Sequence, residues 1–321
     1  MPYRYYNKGY KSPEELVLYM QTKGLSVASD YEAKRFIENV NYYRFKSYLW
    51  PFLDESLAFY LSPSSFEQGV ELYRFDEELR NYIFSIICRI EIKLRSKLDQ
   101  VVASHTNNPF WYLDNTLFLK NAHRAIDGVR TNLSANFLRS KDDFSNHFKN
   151  NYYNDTNNDF KQLPPFWVIS ELATFGQISV IYNSLDKAQF QSAKNSNRLD
   201  VLANEFGARN LKELNNWIIA IRDVRNRCAH HSRVWNANHR QASGILNKLH
   251  ARYQPTNPNK IYLFCILLKR IDDHLSMGFQ VKHHLLSLFD KYPESKTRAH
   301  SAGFPVEWYD DPIWSDLNAL S

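Results

Sequence analysis

The sequence IRDVRNRCAHHSRVWN, residues 221–236, concentrates more polar and titratable side chains than any other stretch of the chain. Residues 221–240 contain five arginines and three histidines but a single acid, Asp223. The residues leading into this motif, LKELNNWIIAIRDV, carry apolar side chains at helical spacing, in a stripe of Leu211, Leu214, Ile218 and Ile221. The pattern predicts an amphipathic helix with one buried face that continues into the basic motif.

On an ideal helix, at about 100° per residue, the motif divides between two faces. The apolar stripe continues from Ile221 through Arg225 to Cys228, so Arg225 is expected at the edge of the core. A second face carries Arg222, Asn226 and His230, with Arg233 close by. Arg225 and His230 are therefore about 140° apart. Either the helix is irregular here, or a second copy of the motif completes a site.

This combination of side chains is typical of a site that cleaves phosphodiesters without a metal ion. A histidine can accept or donate a proton near neutral pH, and an arginine fork can hold a phosphate while negative charge develops on it. A solvated basic helix face, with its histidines in ordinary hydrogen bonds, is the alternative interpretation of the same composition.

Residues 225–230, Arg-Asn-Arg-Cys-Ala-His, have R-x4-H spacing and resemble the motif of the HEPN ribonuclease superfamily, in which an asparagine commonly follows the arginine. The longer string RNRCAHHSRVWN resembles the signature of the Abi-like family, the AbiD/AbiF abortive-infection proteins of bacteria. Further segments that resemble this family are residues 41–48, 72–98, 167–182 and 303–314. The resemblance covers nearly the whole chain in the same order, and residues 110–162 match least.

The resemblance implies a HEPN-type, metal-independent endoribonuclease that acts in phage defence or as a toxin. Arg225 would clamp the scissile phosphate, and Asn226 would orient His230 or the substrate. His230 would act as general acid and base for attack by the 2′-hydroxyl of the RNA, giving a cyclic phosphate end and no cleavage of DNA. HEPN enzymes commonly dimerise with two R-x4-H motifs facing each other, so a homodimer is expected. Supporting phosphate contacts are expected from Arg222, Arg227, His231 and Arg233.

A second element of the site is predicted on the longest helical pattern, residues 66–104. Its core stripe consists of Ile83, Ile87, Ile90, Leu94, Leu98 and Val101. Glu91 and Arg95 lie four residues apart on an adjoining face, where they can form a weak intrahelical ion pair. Alternatively, one of them crosses the bundle to orient Arg225 or His230, with Glu91 the expected contact for Arg225.

Composition limits the classes of protein. The 321 residues contain 9 Gly and 12 Pro, too few for a turn-rich all-β design. A net charge of +6 permits an anionic partner such as RNA, and it also serves solubility. Aromatic residues make up 15% of the chain, and tyrosines beside arginines suit stacking on unpaired bases.

Metal, cofactor and membrane sites are not predicted. The cysteines at 88, 228 and 265 are isolated, which excludes a disulfide framework and a zinc cage, and no Gly-rich phosphate loop is present. The N-terminus lacks the apolar region of a signal peptide, and the longest apolar run, residues 261–268, is too short to span a bilayer. A soluble protein of the reducing cytoplasm is expected.

The predicted fold is an all-α, HEPN-like helical bundle. It divides into an N-terminal helical arm at 1–60, a helical domain at 61–290 and a C-terminal aromatic strap at 291–321. A helix is expected to start at Ser12 with a capping box to Glu15, and another to run from Ser29 to Pro51. Helices are also expected over 240–253 and 258–275. Predicted core residues include Phe36, Val40, Tyr43, Leu49, Trp167, Ile169, Leu172 and Phe175.

Two functions other than RNA cleavage are compatible with the sequence. One is a non-cleaving RNA-binding protein that forms a complex with a structured noncoding RNA, which the resemblance to the family also implies; the basic and aromatic residues would serve that partner. Residues 1–11, aromatic and basic, would then be an RNA-contacting arm, although a frayed terminus is the alternative. The other function is a helical interaction scaffold with a coincidental motif.

Overall fold

The computed structural model describes residue 3 and residues 5–153, 162–192 and 196–315. These residues form thirteen α-helices joined by loops and short 3-10 turns, with no β-strand. The all-α prediction is confirmed. No helix among these residues is long and apolar enough to cross a membrane. The helices are α1 Pro13–Thr22, α2 Asp30–Val40, α3 Tyr42–Leu49, α4 Phe66–Thr106, α5 His123–Arg139, α6 Asp143–Asn151, α7 Phe166–Ile169, α8 Phe175–Ser184, α9 Arg198–Glu205, α10 Leu211–Ala229, α11 Ile261–Leu275, α12 Val281–Lys291 and α13 Pro293–Thr297.

The chain divides into two compact units, and their limits differ from the predicted limits at 60 and 290. Unit one comprises the described residues of 1–79 and 285–299, and unit two those of 80–284 and 300–321. The first turns of α4 belong to unit one because they pack on α3. The Phe66 ring lies 4.8 Å from that of Phe45, and the Tyr48 hydroxyl donates to Asp76 Oδ2 at 2.6 Å.

Unit one begins as the sequence predicts. Ser12 Oγ accepts from the backbone N–H of Glu15 and Glu15 Oε2 accepts from that of Ser12, so the capping box is present. The predicted helix from Ser29 to Pro51 is wrong in its middle, because Asn41 has a positive φ of 69° and separates α2 from α3. Asn41 Oδ1 caps the new helix by accepting from the Tyr43 N–H. This break leaves Tyr43 77% exposed, and Phe45 is buried in its place.

The core of unit two is built from α4, α8, α10 and α11. The predicted stripe of α4 is fully buried from Ile83 to Leu98, and residues 261–268 of α11 are buried on every side. Trp167 was expected in this core, but it is 53% exposed. The helix that carries it, α7, has only four residues, and it buries Phe166 and Ile169 instead.

Residues 240–253 do not form the predicted α-helix. Gly244 has φ 75°, and a Cβ at this position would lie 2.0 Å from the carboxylate of the buried Glu213, so the chain needs a glycine here. Two 3-10 turns, Leu246–Lys248 and Ala251–Tyr253, occupy the remainder of the segment. Farther on, the strap aromatics Phe304, Trp308 and Trp314 are buried, and their rings pack around Tyr262 of α11.

Candidate active site

Helix α10 carries the motif on a face that the core holds in place. It starts at an asparagine cap, where Asn210 Oδ1 accepts from the Glu213 N–H at 3.0 Å. The predicted apolar stripe is buried along its length, from Leu211 to Cys228. Because this stripe passes through Arg225, the Arg225 side chain lies at the core edge and is 33% exposed.

Glu91 of α4 lies directly beside Arg225. The distance from Arg225 Nε to Glu91 Oε1 is 3.6 Å, and the Glu91 side chain is only 10% exposed. Neither atom has a hydrogen-bond partner, so the contact is an ion pair without a direct hydrogen bond. The guanidinium carbon also lies 5.7 Å from the centre of the Phe84 ring, so α4 contacts Arg225 through an acid and an aromatic side chain.

Burial raises the pKa of the Glu91 carboxyl, and the charges of Arg225 and Arg95 oppose that rise. Arg95 is held by a different contact, in which its Nη2 donates to the Ala173 carbonyl oxygen at 2.9 Å. Cys88, one turn before Glu91, was not predicted as a neighbour of the site. Burial raises the pKa of its thiol, and the Glu91 charge adds to the rise, which disfavours a nucleophilic thiolate.

His230 lies where α10 ends. Helix α10 keeps its regular geometry through Ala229, and the backbone N–H of His230 donates to the Asn226 carbonyl at 3.0 Å. His231 has φ 53°, and Ser232 N–H donates back to the Arg227 carbonyl at 2.8 Å, which closes the helix in a Schellman-type turn. The Asn226 and His230 side chains are exposed. Since the helix stays regular up to His230, the separation of about 140° between Arg225 and His230 remains.

The other predicted basic residues are partly engaged within the chain. Asp223 accepts a hydrogen bond from Arg222 Nη2 at 3.3 Å and another from Arg240 Nε at 3.2 Å. Two arginines therefore share the single acid of the motif. Arg227 donates from Nη2 to the Asn238 carbonyl at 3.3 Å. Arg233 is half-buried after the helix end.

Two basic residues near the site were missed by the sequence reasoning. His239 is only 8% exposed, and its Nε2 donates to the Val234 carbonyl at 2.8 Å. Burial, with the charges of Arg227 and Lys260 beside it, lowers the pKa of His239 to about 4. Lys260 donates from Nζ to the Asn236 carbonyl at 2.7 Å. His239 belongs to the basic stretch that the sequence singled out, whereas nothing in the pattern marked Lys260.

Metal ligands do not converge at this site. Within the described ranges, no group of three His, Cys, Asp or Glu side chains is arranged to hold a metal ion. Glu91 is paired with Arg225 and lies mostly away from solvent.

Comparison of the chain with curated proteins and with solved structures gives no match. A family model described as "Abi-like protein" matches residues 35–236, a range that includes Glu91 and the whole of residues 225–230. This match links the chain to abortive infection, a defence of bacteria against phage. The chain belongs to the Abi-like family.

Proposed function

We propose that this protein is a metal-independent endoribonuclease of phage defence, whose active site contains Arg225 and His230. The observation that carries the proposal is the contrast between the two side chains on one helix. Arg225 is oriented by the mostly buried Glu91, and His230 is exposed at the helix end. A fixed cation and an exposed imidazole are two groups that can together cleave a phosphodiester without a metal ion.

In the proposed reaction, the 2′-hydroxyl oxygen of the RNA attacks the adjacent phosphorus. The bond from O2′ to phosphorus forms, the bond from phosphorus to O5′ breaks, and a 2′,3′-cyclic phosphate and a 5′-hydroxyl result. The proton of the 2′-hydroxyl passes to His230, and the leaving O5′ receives a proton from the imidazolium so formed or from water. Arg225 balances the charge on the phosphate oxygens, and Asn226 orients His230 or the substrate.

Glu91 is a positioning residue in this proposal. Its carboxylate lies 3.6 Å from Arg225 Nε and restrains the guanidinium by the attraction between opposite charges. Because Arg225 Nε is buried beside Glu91, the Nη groups of Arg225 would be the donors to the phosphate. A neutral or absent side chain at 91 would leave the arginine free to adopt other rotamers.

A homodimer is part of the proposal because one helix does not place Arg225 and His230 side by side. Residues five apart on a regular helix point about 140° away from each other. Two copies of α10 that meet by a twofold axis would bring Arg225 of one copy towards His230 of the other. The exposed His230 and Asn226 suit such an interface.

The direct test is cleavage of a labelled single-stranded RNA in EDTA by the wild type, Arg225→Ala and His230→Ala. Matched controls are Arg124→Ala and His283→Ala, which remove an exposed arginine and an exposed histidine elsewhere in unit two. We expect cleavage to a cyclic phosphate by the wild type and both controls, and none by the two site variants. Cleavage that needs a divalent metal, or equal cleavage of a matched DNA, would contradict the mechanism.

A second candidate function is binding of a structured RNA without cleavage. It is favoured by exposed aromatic side chains next to lysines in unit one. Tyr5, Tyr6 and Tyr10 are exposed, Lys23 Nζ lies 4.6 Å from the Phe59 ring centre, and Lys46 Nζ lies 4.4 Å from that of Tyr43. Aromatic faces with adjacent cations suit stacked bases and their phosphates.

Copurified RNA separates the two functions. If binding is the function, a discrete RNA should remain with the wild type and with His230→Ala, and it should be lost in a Tyr43→Ala, Phe59→Ala double variant. Leu138→Ala, which removes an exposed apolar side chain in unit two, is the control. If that RNA is removed and the protein then cleaves a labelled RNA in EDTA, the protein is a restrained nuclease and not a binding module.

A further inference from the structure

The chain that follows α10 forms a compact loop, residues 234–239, which we call the motif loop. The loop is closed by its own hydrogen bonds, since Ala237 N–H donates to the Val234 carbonyl and His239 Nε2 donates to the same oxygen. Its far end is fixed where His239 N–H donates to the Asn259 carbonyl at 2.6 Å. The loop therefore has a defined shape directly after the R-x4-H motif.

Two cations bind this loop from different parts of the chain. Arg227, on the last turn of α10, donates to the Asn238 carbonyl, and Lys260, just before α11, donates to the Asn236 carbonyl. Each of these contacts is with a neutral oxygen. Neither Arg227 nor Lys260 forms an ion pair with a carboxylate of the described chain. Both cations thus lie against one short loop, each held there by a backbone carbonyl.

The electrostatics around the loop agree with this concentration of charge. Burial lowers the pKa of the Lys260 ammonium, and the charge of Arg233 lowers it further. His239 is kept neutral by burial and by Arg227 and Lys260. The like charges of Arg233 and Lys260 raise the free energy of the unliganded protein, and an anion bound beside Lys260 relieves that repulsion.

We propose that Arg227 and Lys260, held on the motif loop, bind a backbone phosphate of the RNA strand next to the scissile phosphate. The inference rests on the proposed function, because it takes the ligand to be the RNA that His230 and Arg225 act on. Arg227 lies three residues before His230, about 60° from it on an ideal helix, and Lys260 lies outside residues 35–236 that match the family. Phosphates recur along a strand, so a second one is available wherever the first is bound. The subsite reads no base, and it fixes the register of the strand over the motif.

The test is the salt dependence of RNA binding, measured with a fluorescent single-stranded RNA in a His230→Ala background that does not cleave. Each phosphate contact contributes about 0.7 to the slope of log K against log salt for a single strand. Because the two cations share one phosphate, we expect the Arg227→Met, Lys260→Met double variant to lower that slope by about 0.7, and each single variant to lower it by part of that amount. An unchanged slope in the single variants would overturn the subsite.

Two further variants separate phosphate binding from a structural role. Lys260→Arg keeps the charge and the donors, so it should keep the slope. Lys93→Met removes a half-buried lysine that also donates to a carbonyl, that of Leu275 at the other end of α11, and it should leave the slope unchanged. If Lys93→Met lowered the slope as much as Lys260→Met, the effect would be general and the subsite would be excluded.

The outcome also distinguishes this inference from the proposed function. Cleavage by the wild type, with a slope that Lys260→Met does not change, would exclude the subsite and leave the nuclease standing. A lowered slope without any cleavage by the wild type would keep the subsite and exclude the nuclease. Absence of RNA binding in every variant would exclude both.

Discussion

The two halves of the basic segment are held in place by different forces. Residues 221–229 belong to α10, where packing of the apolar stripe and the contact with Glu91 fix Arg225. Residues 230–240 lie outside the helix, where backbone hydrogen bonds fix the chain while the His230 side chain stays exposed. Arg225 is therefore oriented by contacts inside the protein, whereas the His230 side chain is accessible to a ligand at the surface. It follows that Arg225 is tied to the stability of the fold, and His230 to what binds at the surface.

The largest expected effect comes from mixing two inactive variants. The mixture tests whether His230 of one copy forms a site with Arg225 of the other. Arg225→Ala and His230→Ala should each lose about 10²–10⁴ in cleavage rate. Mixed after dissociation and reassociation, they should recover about a quarter of the wild-type activity, because half of the dimers are mixed and each has one intact composite site. Cleavage of a labelled RNA measures the recovery.

The control for this experiment is each variant mixed with itself, which should recover nothing. No recovery in mixed dimers whose assembly is verified by mass measurement would place Arg225 and His230 in one copy, and the composite site would be wrong.

The next effect is a pH dependence of stability that originates in the second half, at His239. Its pKa is lowered to about 4 in the folded protein, whereas an unfolded histidine titrates near 6.5. The unfolded state therefore binds the proton first as pH falls. The free energy of unfolding should be highest above pH 6.5 and should decrease by on the order of 3 kcal/mol as pH falls towards 4.

Denaturant unfolding of the wild type and of His239→Gln between pH 4 and pH 7 measures this contribution. The glutamine amide keeps a donor for the Val234 carbonyl and does not titrate, so the decrease should be smaller in that variant. His283→Gln, at an exposed histidine, should follow the wild type. Parallel curves for all three proteins would show that His239 is not the source.

A third prediction contrasts the stability of the two halves directly. Arg225→Ala leaves Glu91 mostly buried without its nearest cation, so we expect a loss of about 1–3 kcal/mol in the free energy of unfolding. His230→Ala removes an exposed side chain and should change it by less than about 0.5 kcal/mol. Denaturant midpoints at pH 7 measure both.

A double-mutant cycle identifies the cause of the Arg225 effect. In a Glu91→Gln background the cost of Arg225→Ala should shrink, because no carboxylate is left uncompensated. An equal cost in both backgrounds would mean that Arg225 stabilises the fold through its contact with Phe84 or through packing of its apolar stem.

The smallest effect concerns the residue that joins the two halves. His231 has φ 53°, a left-handed conformation that glycine adopts without the steric cost of a Cβ. His231→Gly should therefore raise the free energy of unfolding by about 1 kcal/mol. Ser276→Gly, at φ 48° after α11, is a matched control with the same expected gain.

A loss of stability in His231→Gly together with a gain in Ser276→Gly would mean that contacts of the His231 ring outweigh its backbone strain. A gain in stability with weaker RNA binding would instead indicate that the strained position is kept for its side chain.

Local sequence patterns determined much of this protein. The helical period of α10 and α4, the capping box at Ser12 and the R-x4-H spacing are set by residues a few positions apart, so the elements that carry the site could be predicted. The resemblance at residues 225–236 placed the chain in its family, and the family match agrees.

Tertiary structure decided the rest, because it depends on residues far apart in the sequence. The sequence left open whether Glu91 reaches Arg225 or pairs within α4, and only the packing of α4 on α10 brings the two side chains to 3.6 Å. The arrival of Lys260 at the motif loop and the burial of His239 have no local signal, since both depend on where the chain before α11 returns. The periodic pattern of apolar residues indicates which side chains face a core. The three-dimensional path of the chain decides which of those side chains contact each other.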